Sequence, residues 1–249
     1  GSRLVANHVY VGTADEVLGV RSSQLIVESG AQLSIGDETL NIRYDGYVKF
    51  DGWDGKTVSN VTIFNVGGFA DINAAHLTGH SLQVAADTTN SLYATAGAAK
   101  LTMTHGAELV LSHGIQLGRK ENRHGILELD NAVVTSLSDT VYVGRDDSTP
   151  GRFGTGELYL KNGAALTAVN VAVNDGSTIV LSSGSTLKTD SMSGSGTITV
   201  SYDSSLVVAG GDSSSLTIKA DLSGYTGGRY RLVSWTEFNN WVEVVAEPT

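Results

Sequence analysis

The chain has no cysteine, only 2 prolines in 249 residues, and 16 lysines and arginines against 26 acidic residues. The lack of cysteine excludes a disulfide scaffold, a thiolate zinc site and a cysteine nucleophile together. In an exported protein it also suits a chain that stays unfolded until it has crossed a membrane. The net charge of −10 repels phosphate backbones and anionic lipid, so neither nucleic acid nor membrane is expected as a partner. No run of 18 apolar residues and no basic-then-apolar leader occurs, so direct membrane insertion of this stretch is not expected. Gly1-Ser2 reads as an expression remnant, which leaves room for an export signal or anchor outside these residues. Sustained helical periodicity is missing too.

What is abundant is glycine, 30 of 249 residues or nearly twice the usual ~7 %. It is set among short alternating apolar segments, the texture of an all-β chain with many turns.

Three segments superimpose. Val9-Tyr10-Val11-Gly12 is followed by a polar loop and Leu25-Ile26-Val27-Glu28-Ser29-Gly30-Ala31-Gln32-Leu33. Ile115-Gln116-Leu117-Gly118 leads to Gly125 through Val133, and Val141-Tyr142-Val143-Gly144 leads to Gly156 through Leu166. The shared pattern is V-x-V-G, loop, G-x-L-x-L-x-x-G-A-x-L, with partial copies at 101–109, 179–187 and from Ile198. The first apolar positions fall at Leu101, Leu127, Leu158, Ile179 and Ile198. Strands of constant length separated by loops of variable length predict a parallel β-solenoid with its insertions on one side. Within L-x-L the two leucines share a face and stack on the next coil at the ~4.8 Å strand spacing. Roughly ten coils are expected, a rod on the order of 50 Å long. An antiparallel sandwich is the competing fold. Strict hexapeptide and calcium-binding nonapeptide repeats are absent.

The pattern, clearest from Val141 to Leu166, resembles the passenger repeats of autotransporter adhesins, bacterial proteins secreted by the type V route. The resemblance covers residues 9–35 and about 101–208. It implies a right-handed parallel β-helix displayed outside the cell, acting as an adhesin or stalk without enzymatic activity. The expected partners are host glycans, extracellular proteins or identical rods. Residues 1–208 are expected to form the coils, with 36–100 irregular and able to hold an inserted hairpin. Residues 209–249, rich in aromatics, are expected to form a terminal coil and cap over the open end of the stack.

No metal or cofactor is expected. His76 and His80 have i, i+4 spacing, but the residues between them read as a turn and no third ligand is near. His105 and His113 precede turn glycines. Asp146-Asp147 is the strongest carboxylate pair, but the two are sequence neighbours in a loop, and the equivalent loop one coil earlier is basic. No G-x-S-x-G or phosphate-binding loop is present. The main alternative is a polysaccharide-degrading β-helix lyase or glycoside hydrolase. Three carboxylates in one groove, or two with Arg or Lys, would favour it. A phage or cell-wall fibre is the third possibility.

Two places are candidates for binding. The loops after V-x-V-G carry Arg119, Arg123, His124, Arg145, Asp146, Asp147 and Arg152, a local charged strip suited to an acidic glycan. The segment from Tyr44 to Trp53 is expected to point Tyr47, Lys49, Asp51 and Trp53 outward, giving a row for sugar stacking or protein docking.

Overall fold

The computed structural model describes residues 2–12, 23–43, 46–52, 58–85, 98–119, 123–144, 154–211, 215–226, 228–230, 233–235 and 242–244. They form an all-β, parallel solenoid with two large sheets. Sheet A has twelve strands and sheet B nine, and every pairing within both is parallel. The chain alternates between them. A sheet B strand such as Thr155–Lys161 leads into a sheet A strand such as Ala165–Val173, and the next pair stacks on top.

Each step follows from the repeat. In sheet B one inward column runs Leu25, Val48, Ala70, Leu101, Leu127, Leu158, Ile179, Ile198, Ile218, each residue in register with the next. A second column, two residues on, includes Phe50, Ile72, Met103, Leu129, Leu160, Leu181 and Val200, all buried. The L-x-L motif is therefore one rung of a double aliphatic ladder. The facing ladder of sheet A takes V-x-V from Val9 and Val11 through Val141 and Val143 to Val171 and Val173. The apolar core lies between the two sheets.

The two edges differ. Where sheet B passes to sheet A most connections are two to four residues, as in Asn131-Ala132 between Asp130 and Val133, the longer ones being those after Asp51 and Asp221. His105-Gly106, Asn162-Gly163 and Ser183-Gly184 each place two successive residues at positive φ here, the geometry of a tight primed turn. Where sheet A passes to sheet B the connection runs from two residues, Gly67-Gly68, to the thirteen between Val84 and Ala98. The loops after V-x-V-G all belong to this edge.

The glycine of V-x-V-G has its own cause. Gly118 sits at φ +63°, and a Cβ there would overlap the Thr155 carbonyl. The two sheets converge so closely at this edge that a methyl group does not fit.

Sheet A is interrupted along one line. The ladder between Val133–Val143 and Ala165–Val173 shifts register between Ser136 and Thr140, and that between Gln32–Ile42 and Val58–Val66 shifts between Ile35 and Thr39. A broken ladder releases backbone carbonyls, and buried groups of this kind need partners. Side-chain hydroxyls supply them: Ser136 donates to the His113 carbonyl at 2.8 Å, and Thr189 Oγ1 lies 3.0 Å from the Val169 carbonyl and 2.8 Å from that of Ser191.

Two sequence expectations change. The described part of 36–100 contains no hairpin. Its strands Gly46–Asp51, Val58–Val66, Phe69–Asn73 and His76–Val84 continue both parallel ladders. The residues between His76 and His80 form strand rather than a turn. At the far end, Thr217–Asp221 and Val233–Trp235 add a rung to sheets B and A, and Gly228–Tyr230 pairs antiparallel with Val242–Val244. Of the aromatics expected in the cap, Phe238 and Trp241 lie outside the described residues. Tyr225 packs on Tyr202 with ring centroids 5.4 Å apart.

Candidate functional site

The outer face of sheet B gathers the chemically richest side chains. Alternation along each strand turns every second residue outward. Two outward columns result, in which Tyr47, Phe69, Lys100, Ile126 and Glu157 are successive neighbours, as are Lys49, Asp71, Thr102, Glu128 and Tyr159.

Near Tyr47, a set of contacts runs along the first coils. The Tyr47 hydroxyl donates to Asp71 Oδ2 at 2.7 Å. Lys49 Nζ lies 2.6 Å from Asp51 Oδ2, and Asn73 Nδ2 donates to Asp51 Oδ1 at 2.7 Å. The Lys49 and Asn73 hydrogen bonds hold the Asp51 carboxyl below its ordinary pKa against a smaller opposing effect of burial.

Farther along, a longer chain of contacts crosses three coils. Glu128 takes Lys100 on one oxygen at 2.7 Å and Lys161 on the other at 2.8 Å. Lys161 Nζ also sits 5.2 Å from the Tyr159 ring centroid, within cation–π range. The Tyr159 hydroxyl donates to Glu157 Oε2 at 2.7 Å. Glu157 Oε1 meets His124 Nε2 at 3.3 Å, and His124 Nδ1 lies 2.8 Å from Thr155 Oγ1. Burial favours the neutral form of Glu128, yet hydrogen bonds from the two lysines outweigh it and keep its pKa below the usual carboxylate range. The hydrogen bond to Glu157, then burial, push Tyr159 up to about 12.

The structure places three of the residues singled out in sequence on this one face, two of them adjacent. Tyr47 and Lys49 point outward on this face, half-buried. His124 is on the same face three rungs along the stack, roughly 14 Å at the ~4.8 Å strand spacing, and two residues to one side of the Tyr47 column. Arg119 and Arg123 lie at the variable edge, half-buried, with the Arg123 carbonyl accepting from the Thr155 amide at 2.8 Å. Trp53, Arg145, Asp146, Asp147 and Arg152 lie outside the described residues.

Sequence reading missed Lys100, Glu128, Glu157, Tyr159 and Lys161. The signal was present in the x positions of G-x-L-x-L-x, Gly125 to Asp130 and Gly156 to Lys161. These positions read as solvent-facing filler until the register aligns them. Glu128 and Glu157 with Lys100 and Lys161 do form a two-carboxylate, two-lysine grouping. It lies on an open sheet face, and Glu128 has an ammonium on each oxygen.

Among the described residues no three His, Cys, Asp or Glu converge to hold a metal ion, and no helix is long and apolar enough to cross a membrane. Comparison with protein-family models finds no match, and neither do comparisons with curated proteins and with solved structures.

Proposed function

We propose that this chain is a non-catalytic display rod, a right-handed β-helix of roughly ten coils with its last segment as a cap, borne outside a bacterial cell as an adhesin or stalk of the autotransporter type. The observation that carries the reading is the outer face of sheet B. A stiff apolar ladder supports a pre-ordered array of tyrosine, lysine, carboxylate and imidazole groups, many of them already fixed by one another. Such a surface binds without first paying to order its side chains. Aromatic faces beside paired donors and acceptors suit the apolar and hydroxyl-bearing sides of a sugar ring, which makes a host glycan the preferred partner. An extracellular protein or an identical rod is the next.

The Glu128–Glu157 grouping favours polysaccharide cleavage as a second reading. The arrangement counts against it, because both oxygens of Glu128 are taken by lysine ammoniums and the pair stands on an open sheet face.

A glycan and matrix-protein array with the purified chain tests the proposal, alongside Tyr159→Ala and Lys49→Ala variants. Binding that both substitutions weaken supports the sheet B face. A uniformly negative array leaves only the stalk role, and new reducing ends released from a polysaccharide would overturn the non-catalytic assignment.

A further inference from the structure

The outer face of sheet A differs in character from that of sheet B. Val133, Thr135 and Leu137 alternate outward on Val133–Val143, and Ala165, Thr167 and Val169 do so on the next rung, Ala165–Val173. These two rungs present four aliphatic side chains, two threonines and no charge until Asp139. Val110 extends the patch on the rung before. Val133 is 42 %, Val110 37 % and Leu137 59 % exposed. Charge returns on the flanking rungs. Glu108, exposed, stands two residues before Val110 and holds His76 Nδ1 at 2.7 Å. On the other flank Lys188, exposed, is in register with Thr167, and Asp190 follows it. Single exposed aliphatics are ordinary, but a contiguous group rimmed by charge of both signs marks an interface.

We propose that this face docks a second copy of the chain, the two rods lying side by side with their axes antiparallel. The order of the rungs selects this partner. A two-fold axis along the strand direction, between the two uncharged rungs, lays Val133–Val143 of each copy over Ala165–Val173 of the other. Positions along the strands are kept, so Val133 faces Ala165, Thr135 faces Thr167 and Leu137 faces Val169, each twice. The same operation lays Glu108–Leu111 over Thr186–Gly194. Glu108 then stands one outward position, ~6.6 Å along the strand, from Lys188 of the other copy, within reach of a lysine side chain. Asp190 falls beside His113 by the same count. Parallel rods would instead set Lys188 against Lys188 and Glu108 against Ser112, a like-charge contact of the kind that excludes an arrangement.

Four rungs at ~4.8 Å by five residues at ~3.3 Å cover roughly 300 Å² on each copy, against ~800 Å² per partner in a stable complex. The contact is therefore weak and transient between two free chains, and it strengthens where many rods stand together. It gives the identical rod a surface of its own, separate from sheet B, so its test does not pass through glycan binding.

Sedimentation equilibrium of the purified chain from ~10 μM to ~1 mM should show a concentration-dependent dimer. Glu108→Lys and Lys188→Glu should each weaken association ~10-fold or more, since each puts two like-charge pairs into the contact. An equimolar mixture of these two variants should recover association, because each copy supplies the charge that the other lacks. Leu137→Asp should abolish it. Lys219→Glu makes the same charge change at an exposed position on sheet B and should leave association unchanged. A chain that stays monomeric throughout, or a mixture no better than either variant alone, would overturn the proposal. So would association that survives Leu137→Asp or that falls equally with Lys219→Glu. Circular dichroism of each variant separates a lost contact from a lost fold.

Discussion

Lys161 is registered opposite Asp130, yet its ammonium reaches diagonally to Glu128, 2.8 Å from Oε1. Asp130 is satisfied instead by Asn162, whose Nδ2 donates to it at 2.7 Å. The crossed pairing gives Glu128 a lysine from the coil on either side and joins three coils through one carboxylate.

This carboxylate links stability to pH. Its pKa is lowered in the folded state, so the stabilisation is present above the unfolded value of about 4.5 and disappears as pH falls through the lower folded value. Denaturant unfolding at pH 7 and near pH 3 should show the parent losing more stability on acidification than Glu128→Gln. With both lysines about a third exposed, the difference is expected at about 1 kcal/mol or less. An equal acid sensitivity in the two proteins would show that the triad contributes nothing.

Tyr159 behaves in the opposite sense. Its folded pKa of about 12 exceeds the ordinary ~10 of a free phenol, so its contribution holds below pH ~10 and is lost as pH rises toward 12. In an ultraviolet titration, Tyr159→Phe should remove a late-ionising phenol and leave the earlier part of the curve in place.

The ladder sets the scale of core damage. Leu158 is fully buried between Leu127 and Ile179, and Leu158→Ala should cost ~2–5 kcal/mol in chemical denaturation. Leu137, 59 % exposed, provides the contrast: Leu137→Ala should stay within ~0.5 kcal/mol.

Glycines of similar backbone angle should differ by their surroundings. Gly30 at φ +77° has nothing within 4 Å of an added Cβ, whereas Gly118 faces the Thr155 carbonyl. Gly30→Ala should lose only the ~1–2 kcal/mol of a left-handed alanine. Gly118→Ala should lose clearly more, measured as the difference in denaturation midpoints at constant slope.

Much of the fold is legible in the repeat because the ladder needs the same residue type at the same place on each rung. The legible stretches are those with large aliphatics and glycine corners, such as Val141 to Leu166. The stretch from 36 to 85 obeys the same rules with looser spelling. Phe64-Asn65-Val66-Gly67 and Leu82-Gln83-Val84-Ala85 are V-x-V-G rungs, Ala70 occupies a leucine position, and Ala74 takes the positive-φ corner at 49° where glycine usually stands. The candidate site was harder to see. Tyr47 and Lys49 announce themselves by composition, but Lys100, Glu128 and Lys161 are 28 and 33 residues apart and meet only when loops of unequal length are subtracted. The same holds for Val133 and Ala165 on sheet A, paired in register and separated by a full coil of sequence.

The unequal edges have a wider consequence. Since every rung is closed by backbone pairing to its neighbours, a connection on the roomy margin can lengthen, shorten or change composition without disturbing the stack. Mutational drift is thereby channelled to one side of the molecule, and a lineage could vary what it presents there while inheriting the rest unaltered.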